Sequence, residues 1–400
     1  MFESVNAAPP DAIFGLNEAM KRDSRENKIN LGAGVYKDNH GITPILEVVK
    51  IAERRLLDGE TSKSYLPIDG LHSYGEAVRE LVLGPDHPVL RDQRAATVHS
   101  PGGTGALRVT AELVKSLGGQ PTVWLSNPTW ANHGKIFASA GLETRTYAYY
   151  NAQSRNLDID GMLSSLEQTK AGDLVVLHGC CHNPTGVDPS REQWLAIAEV
   201  IARRGALPLL DFAYHGFVDG IEEDAHAVRH FAETVQEMVI CSSYSKNFGL
   251  YAERVGAATL ITGSASQTTA LLSRAKQCVR ANYSNPPVHG AAIVAEVLGD
   301  ADLRVRWQEE LAAMRVRIKD MRQALANGLD QRKISLHTDG NSFISRQNGM
   351  FSFSGLNSDE VQRLQDEHAV YILGSGRINV AGITDSNVDR LCDAIASVRS

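Results

Sequence analysis

Short apolar runs separated by helical stretches fill the chain from residue 95 to residue 261. The runs are Ala95–His99, Thr122–Leu125, Leu174–Leu177, Leu207–Leu210 and Met238–Cys241, with Gly105–Ser116 and Arg191–Arg203 among the helical stretches between them. That alternation is the mark of a mainly parallel α/β sheet. A sixth run, Arg254–Ile261, follows the fifth so closely that an antiparallel pairing is expected.

The rest of the chain reads differently. From Ala301 to Arg332, Leu303, Trp307, Leu311, Met314, Ile318, Met321, Leu325 and Leu329 recur every three or four residues. They form one apolar stripe on a single long helix. Such length suits a helix that joins a large domain to a smaller one. From Ile334 onward, short strands (Gly349–Ser354, Ile378–Ala381) mix with helices, and the piece around Leu16–Tyr36 is expected to pack with them. The first dozen residues, with Pro9-Pro10, read as an extended arm.

Composition excludes several classes. With 400 residues the chain exceeds one ordinary core, and 43% hydrophobic against 22% charged residues is the balance of a globular protein. Forty basic against 47 acidic residues give a net charge of −7, the wrong sign for a nucleic-acid surface. Five cysteines, two of them adjacent (Cys180, Cys181), form neither a disulfide framework nor a metal-binding pair. No secretory leader and no membrane-length apolar stretch are read, so a cytoplasmic location is expected.

In open α/β sheets, ligands bind beyond the carboxyl ends of the strands. Beyond the first run lies Ser100-Pro101-Gly102-Gly103-Thr104-Gly105, and beyond the second Ser126-Asn127-Pro128-Thr129-Trp130, with His133 near. The third leads into His178-Gly179-Cys180-Cys181-His182-Asn183-Pro184-Thr185-Gly186, the fourth into Asp211-Phe212-Ala213-Tyr214, and the fifth into Ser242-Ser243-Tyr244-Ser245-Lys246. Singly, these are a turn, a helix cap or a solvated lysine. Together they match one molecule. Glycine amides at a helix start, with Thr104, Ser243 and Arg254, suit a phosphate dianion. Asp211 suits a protonated ring nitrogen, Tyr214 and Asn183 a phenolate oxygen, and Trp130 a stacked ring. Lys246 suits a Schiff base with an aldehyde. That set describes pyridoxal 5'-phosphate. Rival motifs are weaker: no Lys-Ser or Lys-Thr follows the glycines as a nucleotide loop requires, and the Ser243–Lys246 spacing of serine acyl-enzymes lacks its Lys-Thr-Gly companion.

The segments Ser243-Tyr244-Ser245-Lys246-Asn247-Phe248-Gly249, His182-Asn183-Pro184-Thr185-Gly186, Asp211-Phe212-Ala213-Tyr214, Arg280-Ala281-Asn282-Tyr283-Ser284-Asn285-Pro286-Pro287 and Ser375-Gly376-Arg377-Ile378-Asn379 resemble those of the bacterial aspartate aminotransferase family. The resemblance runs almost the full length of the chain. It implies fold type I of the pyridoxal-phosphate enzymes: a large α/β domain with a mainly parallel, mostly seven-stranded sheet, plus a smaller α+β domain. The implied boundaries are 1–12 for an arm onto a partner subunit, 13–43 with 314–400 for the small domain, and 44–313 for the large one. Lys246 is implied as the cofactor's tether and the catalytic base, with Asp211 on the ring nitrogen and His133 behind it. Asn183 and Tyr214 are implied on the phenolate, Trp130 on the ring face, and Gly103, Thr104, Ser243 and Arg254 on the phosphate. Tyr65 is implied to reach the same phosphate from a partner subunit of a homodimer.

For substrate, the resemblance implies Arg377 on the α-carboxylate, Arg280 from the partner subunit on a distal carboxylate, and Gly34, Trp130 and Asn183 alongside. The expected reaction is ping-pong amino transfer between aspartate and 2-oxoglutarate. The nearest alternative is the aromatic branch. Val35, Lys37, Thr43, Thr104 and Asn285 resemble the aspartate-type pocket, whereas Ala33, Ser64 and His215 depart from its usual residues. Pyridoxal-phosphate-binding regulators would need an added DNA-binding module, and carbon–sulfur lyases of the same fold would not need Arg280.

Overall fold

The computed structural model describes residues 2–7 and 12–399. Of the expected arm, residues 1 and 8–11 lie outside the described residues. The chain divides into two compact units, 44–316 and 1–43 with 317–400.

The larger unit is built on a seven-stranded sheet whose strands are β1 (Ala95–Pro101), β2 (Thr122–Asn127), β3 (Glu143–Ala148), β4 (Leu174–His178), β5 (Leu207–Phe212), β6 (Met238–Ser243) and β7 (Val255–Ile261). Their order across the sheet is β1-β7-β6-β5-β4-β2-β3. β2 through β6 pair in parallel, and β7 runs antiparallel to both β1 and β6. The expected antiparallel pairing of the sixth run is therefore observed, on both of its edges. Every residue of β4, β6 and β7 is buried, the reason these strands read as unbroken apolar runs. Edge strand β3 instead exposes Glu143, Thr144, Arg145 and Thr146, a charged rim that discourages pairing with another chain. Val98, Leu113, Val123, Val176, Leu209 and Leu260 belong to one core cluster of this unit. Each such side chain contributes roughly 1.5–3 kcal/mol through burial.

Two helices show how local sequence sets the frame. The first, α1 (Gly102–Ser116), begins at Gly102 rather than at the expected Gly105. The first helical turn therefore includes glycines, whose low helix propensity weakens the sequence signal there. In α2 (Arg191–Arg204), Ser190 and Gln193 form a capping box, and Gly205 ends the helix at φ 65°.

The smaller unit has its own core, which includes Leu31, Leu325, Leu329, Ile344, Leu364 and Ile395. Two short sheets pin its segments together. Ile29–Asn30 pairs in parallel with Val370–Tyr371, and Phe351–Phe353 pairs antiparallel with Arg377–Asn379. The long helix α3 (Ala301–Gln331) contains the boundary between the two units, after Val316.

Candidate active site

Asp211 sits near the end of β5, in register with His178 of β4 on one side and Cys241 of β6 on the other. Its carboxylate is buried and lies 3.0 Å from Nε2 of His133, itself wholly buried on the helix Asn132–Ser139. The Thr129 hydroxyl lies 2.8 Å from His133 Nδ1 and 3.2 Å from His178 Nε2. A hydroxyl has one proton and two lone pairs, so Thr129 can bridge both imidazoles while donating to at most one of them. His182 continues the cluster, 3.0 Å from Ser126 Oγ and 2.8 Å from Thr185 Oγ1, with the Tyr149 ring stacked on it at 3.9 Å.

Electrostatics separates these groups. Burial alone drives the Asp211 carboxyl upward. The hydrogen bond from His133 outweighs it, together with the nearby cationic Lys246, and the group falls below the ordinary aspartate value. Burial pushes His178 and His182 well below the ordinary histidine value, so both rings are neutral at pH 7. The result is one anionic carboxylate fixed among imidazoles at a strand end.

Half-buried Lys246 follows β6 by three residues and places Nζ 4.7 Å from the centre of the buried Tyr214 ring. Trp130 meets the His133 ring edge-on at 5.2 Å. Asn183 is buried in the segment after β4.

A second locus forms at the start of α1. Its N-cap, Pro101, supplies no side-chain hydrogen bond, which leaves the first helical amides without a capping partner. Gly102 has φ +76°, and a Cβ there would stand 2.4 Å from Arg254 Nη2. A Cβ on Gly103 would stand 3.1 Å from Ser243 Cβ, so the glycines let guanidinium, serine and helix start converge. Arg254 Nη1 donates to Ser245 Oγ at 3.3 Å and to the Tyr251 carbonyl at 3.0 Å. Among the described residues no carboxylate forms an ion pair with Arg254. Thr104 lies in the first turn of α1, exposed.

Two expected site residues stand apart from this group in the single chain. Tyr65 is 92% exposed. Arg280 is exposed near the end of the helix Ala265–Asn282, where its Nη1 donates to Ser284 Oγ. In the smaller unit, Arg377 is buried, donates to the Gly32 carbonyl at 2.7 Å and lies 4.2 Å from the Phe351 ring centre. A Cβ on Gly34 would lie 3.3 Å from the same ring.

Sequence reading passed over Thr129, His178 and Ser245. Thr129 and His178 declare themselves only when two strand ends come together around His133. Ser245 had a local signal, since it stands two residues from Ser243 and so on the same side of an extended segment.

Residues 26–395 match the model of the aminotransferase class I and II family. The chain belongs to that family. It is 50% identical over 398 residues to the aspartate aminotransferase of Escherichia coli (strain K12), covering 100% of both chains. It is 46% identical to the aromatic-amino-acid aminotransferase of Pseudomonas aeruginosa, over 99% of this chain and 98% of that one. Among solved structures, the aromatic-amino-acid aminotransferase of Burkholderia pseudomallei, covalently bound to pyridoxal phosphate, superposes with a TM-score of 0.97 at 44% identity, covering 100% of both chains.

Proposed function

We propose that this chain is a pyridoxal-phosphate-dependent aspartate aminotransferase, exchanging an amino group between L-aspartate and 2-oxoglutarate to give oxaloacetate and L-glutamate. The observation that carries the reading is the buried Asp211–His133 pair in the same unit as Lys246 and as an Arg254 that has serine and carbonyl partners and, among the described residues, no carboxylate. Relatives of the same length, matched end to end, support the aspartate assignment.

The residues fit the cofactor. The uncapped start of α1, glycines that a Cβ would jam against Arg254 and Ser243, and the Ser243–Ser245–Arg254 donor set suit a dianionic phosphate. Gly103, Thr104, Ser243 and Arg254 would hold that phosphate, with Ser245 added to the set. Asp211, kept ionised, would hold the ring nitrogen in its protonated state. Asn183 and Tyr214 would hold the phenolate oxygen, and Trp130 the ring face. When bound, pyridoxal phosphate supplies an electron sink for charge developing on the substrate's α-carbon.

The protein's own groups then divide the work. Lys246 Nζ would take the proton from the substrate's Cα and deliver it to the cofactor carbon that carried the aldehyde, acting as general base and then general acid. His133 holds the Asp211 carboxylate in one orientation, and Thr129 with His178 holds His133. Arg377 takes the α-carboxylate through its guanidinium fork. Arg280, offered by the partner of a homodimer, takes the distal carboxylate, and Tyr65 of this chain serves that partner's phosphate site. Gly34 gives the substrate backbone its clearance. No helix among the described residues is long and apolar enough to cross a membrane.

A second reading, aromatic or broad specificity, draws on the smaller Ala33 and Ser64 and on the aromatic relatives. The kcat/KM values for aspartate, glutamate, phenylalanine and tyrosine with 2-oxoglutarate decide between them. Aspartate is expected to exceed phenylalanine, and the reverse order overturns the assignment.

A further inference from the structure

Arg322 is a buried cation in an unusual setting. It projects from α3 within the smaller unit with 1% of its surface exposed, and its guanidinium donates to four backbone carbonyls. Nη1 donates to Ile344 at 3.0 Å. Nη2 donates to Asn348 at 3.1 Å, Gly349 at 2.7 Å and Phe351 at 2.5 Å. A buried charge is costly unless its donors are well satisfied, and a planar fork directed at carbonyls meets that condition only if the carbonyls are held in place. The contacts therefore constrain both partners: the charge needs this turn, and the turn is gathered around the charge.

What the turn delivers is Phe351. It opens the strand Phe351–Phe353, which pairs with Arg377–Asn379, Phe351 opposite Asn379 and Phe353 opposite Arg377. The Phe351 ring lies 4.2 Å from the Arg377 guanidinium carbon on one contact and leaves only Cβ-sized clearance at Gly34 on another. Asn379 Nδ2 donates to the carbonyls of Ala33 at 2.6 Å and Val35 at 2.8 Å, tying the neighbouring segment into the same frame. A displacement of the Phe351 backbone would move the ring that the Arg377 guanidinium rests on.

We infer that Arg322 is a positioning residue for the substrate's α-carboxylate, acting on Arg377 through the Gly349–Phe351 backbone and the Phe351 ring. The inference rests on the assignment of Arg377 to that carboxylate. It separates Arg322 from an ordinary core residue, because its loss should follow the α-carboxylate rather than fall on every substrate.

Single-turnover amino transfer to the holoenzyme provides the test, using L-aspartate and 3-aminopropanoate, which is aspartate without its α-carboxylate. With Arg322→Met, the second-order rate constant for aspartate should fall about 30-fold, mostly through a higher half-saturating concentration, as expected when a bidentate contact loses its alignment. Arg322→Lys should recover part of the loss, and 3-aminopropanoate should change less than about twofold in either variant. Should Arg322→Met fail to fold, Phe351→Leu removes the ring face while keeping an apolar side chain and should show the same selectivity. Equal losses on both substrates in the soluble variants would overturn the inference and leave Arg322 a structural residue. If Arg377→Lys itself spares aspartate, the assignment of Arg377 fails. If Arg377→Lys weakens aspartate but Arg322→Met and Phe351→Leu do not, the positioning role alone fails.

Discussion

The two units handle buried charge in opposite ways. In the larger unit, Asp211 is held by titratable side chains: His133 directly, then His178 through the Thr129 hydroxyl. In the smaller unit, Arg322 and Arg377 are always protonated and donate to backbone carbonyls. The first arrangement can set the protonation state of something bound to it. The second can only place a fixed positive charge. Changes in the larger unit should therefore strike turnover, cofactor affinity and acid stability, while changes in the smaller unit should strike substrate affinity.

The largest effect should come from Lys246→Ala, which removes the proposed tether and base together; steady-state turnover with aspartate should fall by about 10⁴-fold or more. Next, Asp211→Asn keeps the shape but removes the charge. A loss of about a thousandfold in kcat is expected, the scale of removing a preorganised electrostatic partner, with modest change in KM. A larger effect on KM than on kcat would break the contrast between the units. Arg377→Lys should behave in the opposite way, costing about a hundredfold in kcat/KM through KM, because an ammonium cannot reproduce a bidentate fork.

A smaller effect is expected in acid. Burial holds both His99 and His215 down to about 4, so both stay neutral in the fold. In the unfolded chain they would bind protons near pH 6.5. The unfolded state therefore gains protons first, and stability falls as pH drops from about 6.5 toward 4, by up to about 3 kcal/mol per histidine. A drop in Tm of about 5–10 °C between pH 7 and pH 5 is expected in calorimetry. His215→Gln keeps a donor for the Ile221 carbonyl, which His215 Nε2 reaches at 2.6 Å, and should make the drop smaller. An unchanged drop would remove His215 from this account.

How much of this could be read beforehand depended on the range of the interaction. Strands buried on both faces advertise themselves as apolar runs, so β4, β5 and β6 and the residues at their ends were legible. The α1 start was misplaced because glycine weakens the helical signal, although those glycines are what admit Arg254 and Ser243. Thr129 and His178 were invisible as partners, being 49 residues apart in sequence and joined only by the fold. Arg322 falls outside the apolar stripe of its long helix. Nothing in its neighbourhood says that carbonyls 22 to 29 residues later will surround it.

The central claim is that Lys246 carries the cofactor. Borohydride reduction of the purified holoenzyme, followed by peptide mass spectrometry, tests it directly. A pyridoxyl group on Lys246 Nζ, with loss of the visible absorption band, is the predicted result. Full reduction that leaves Lys246 unlabelled, or labels another lysine, would contradict it.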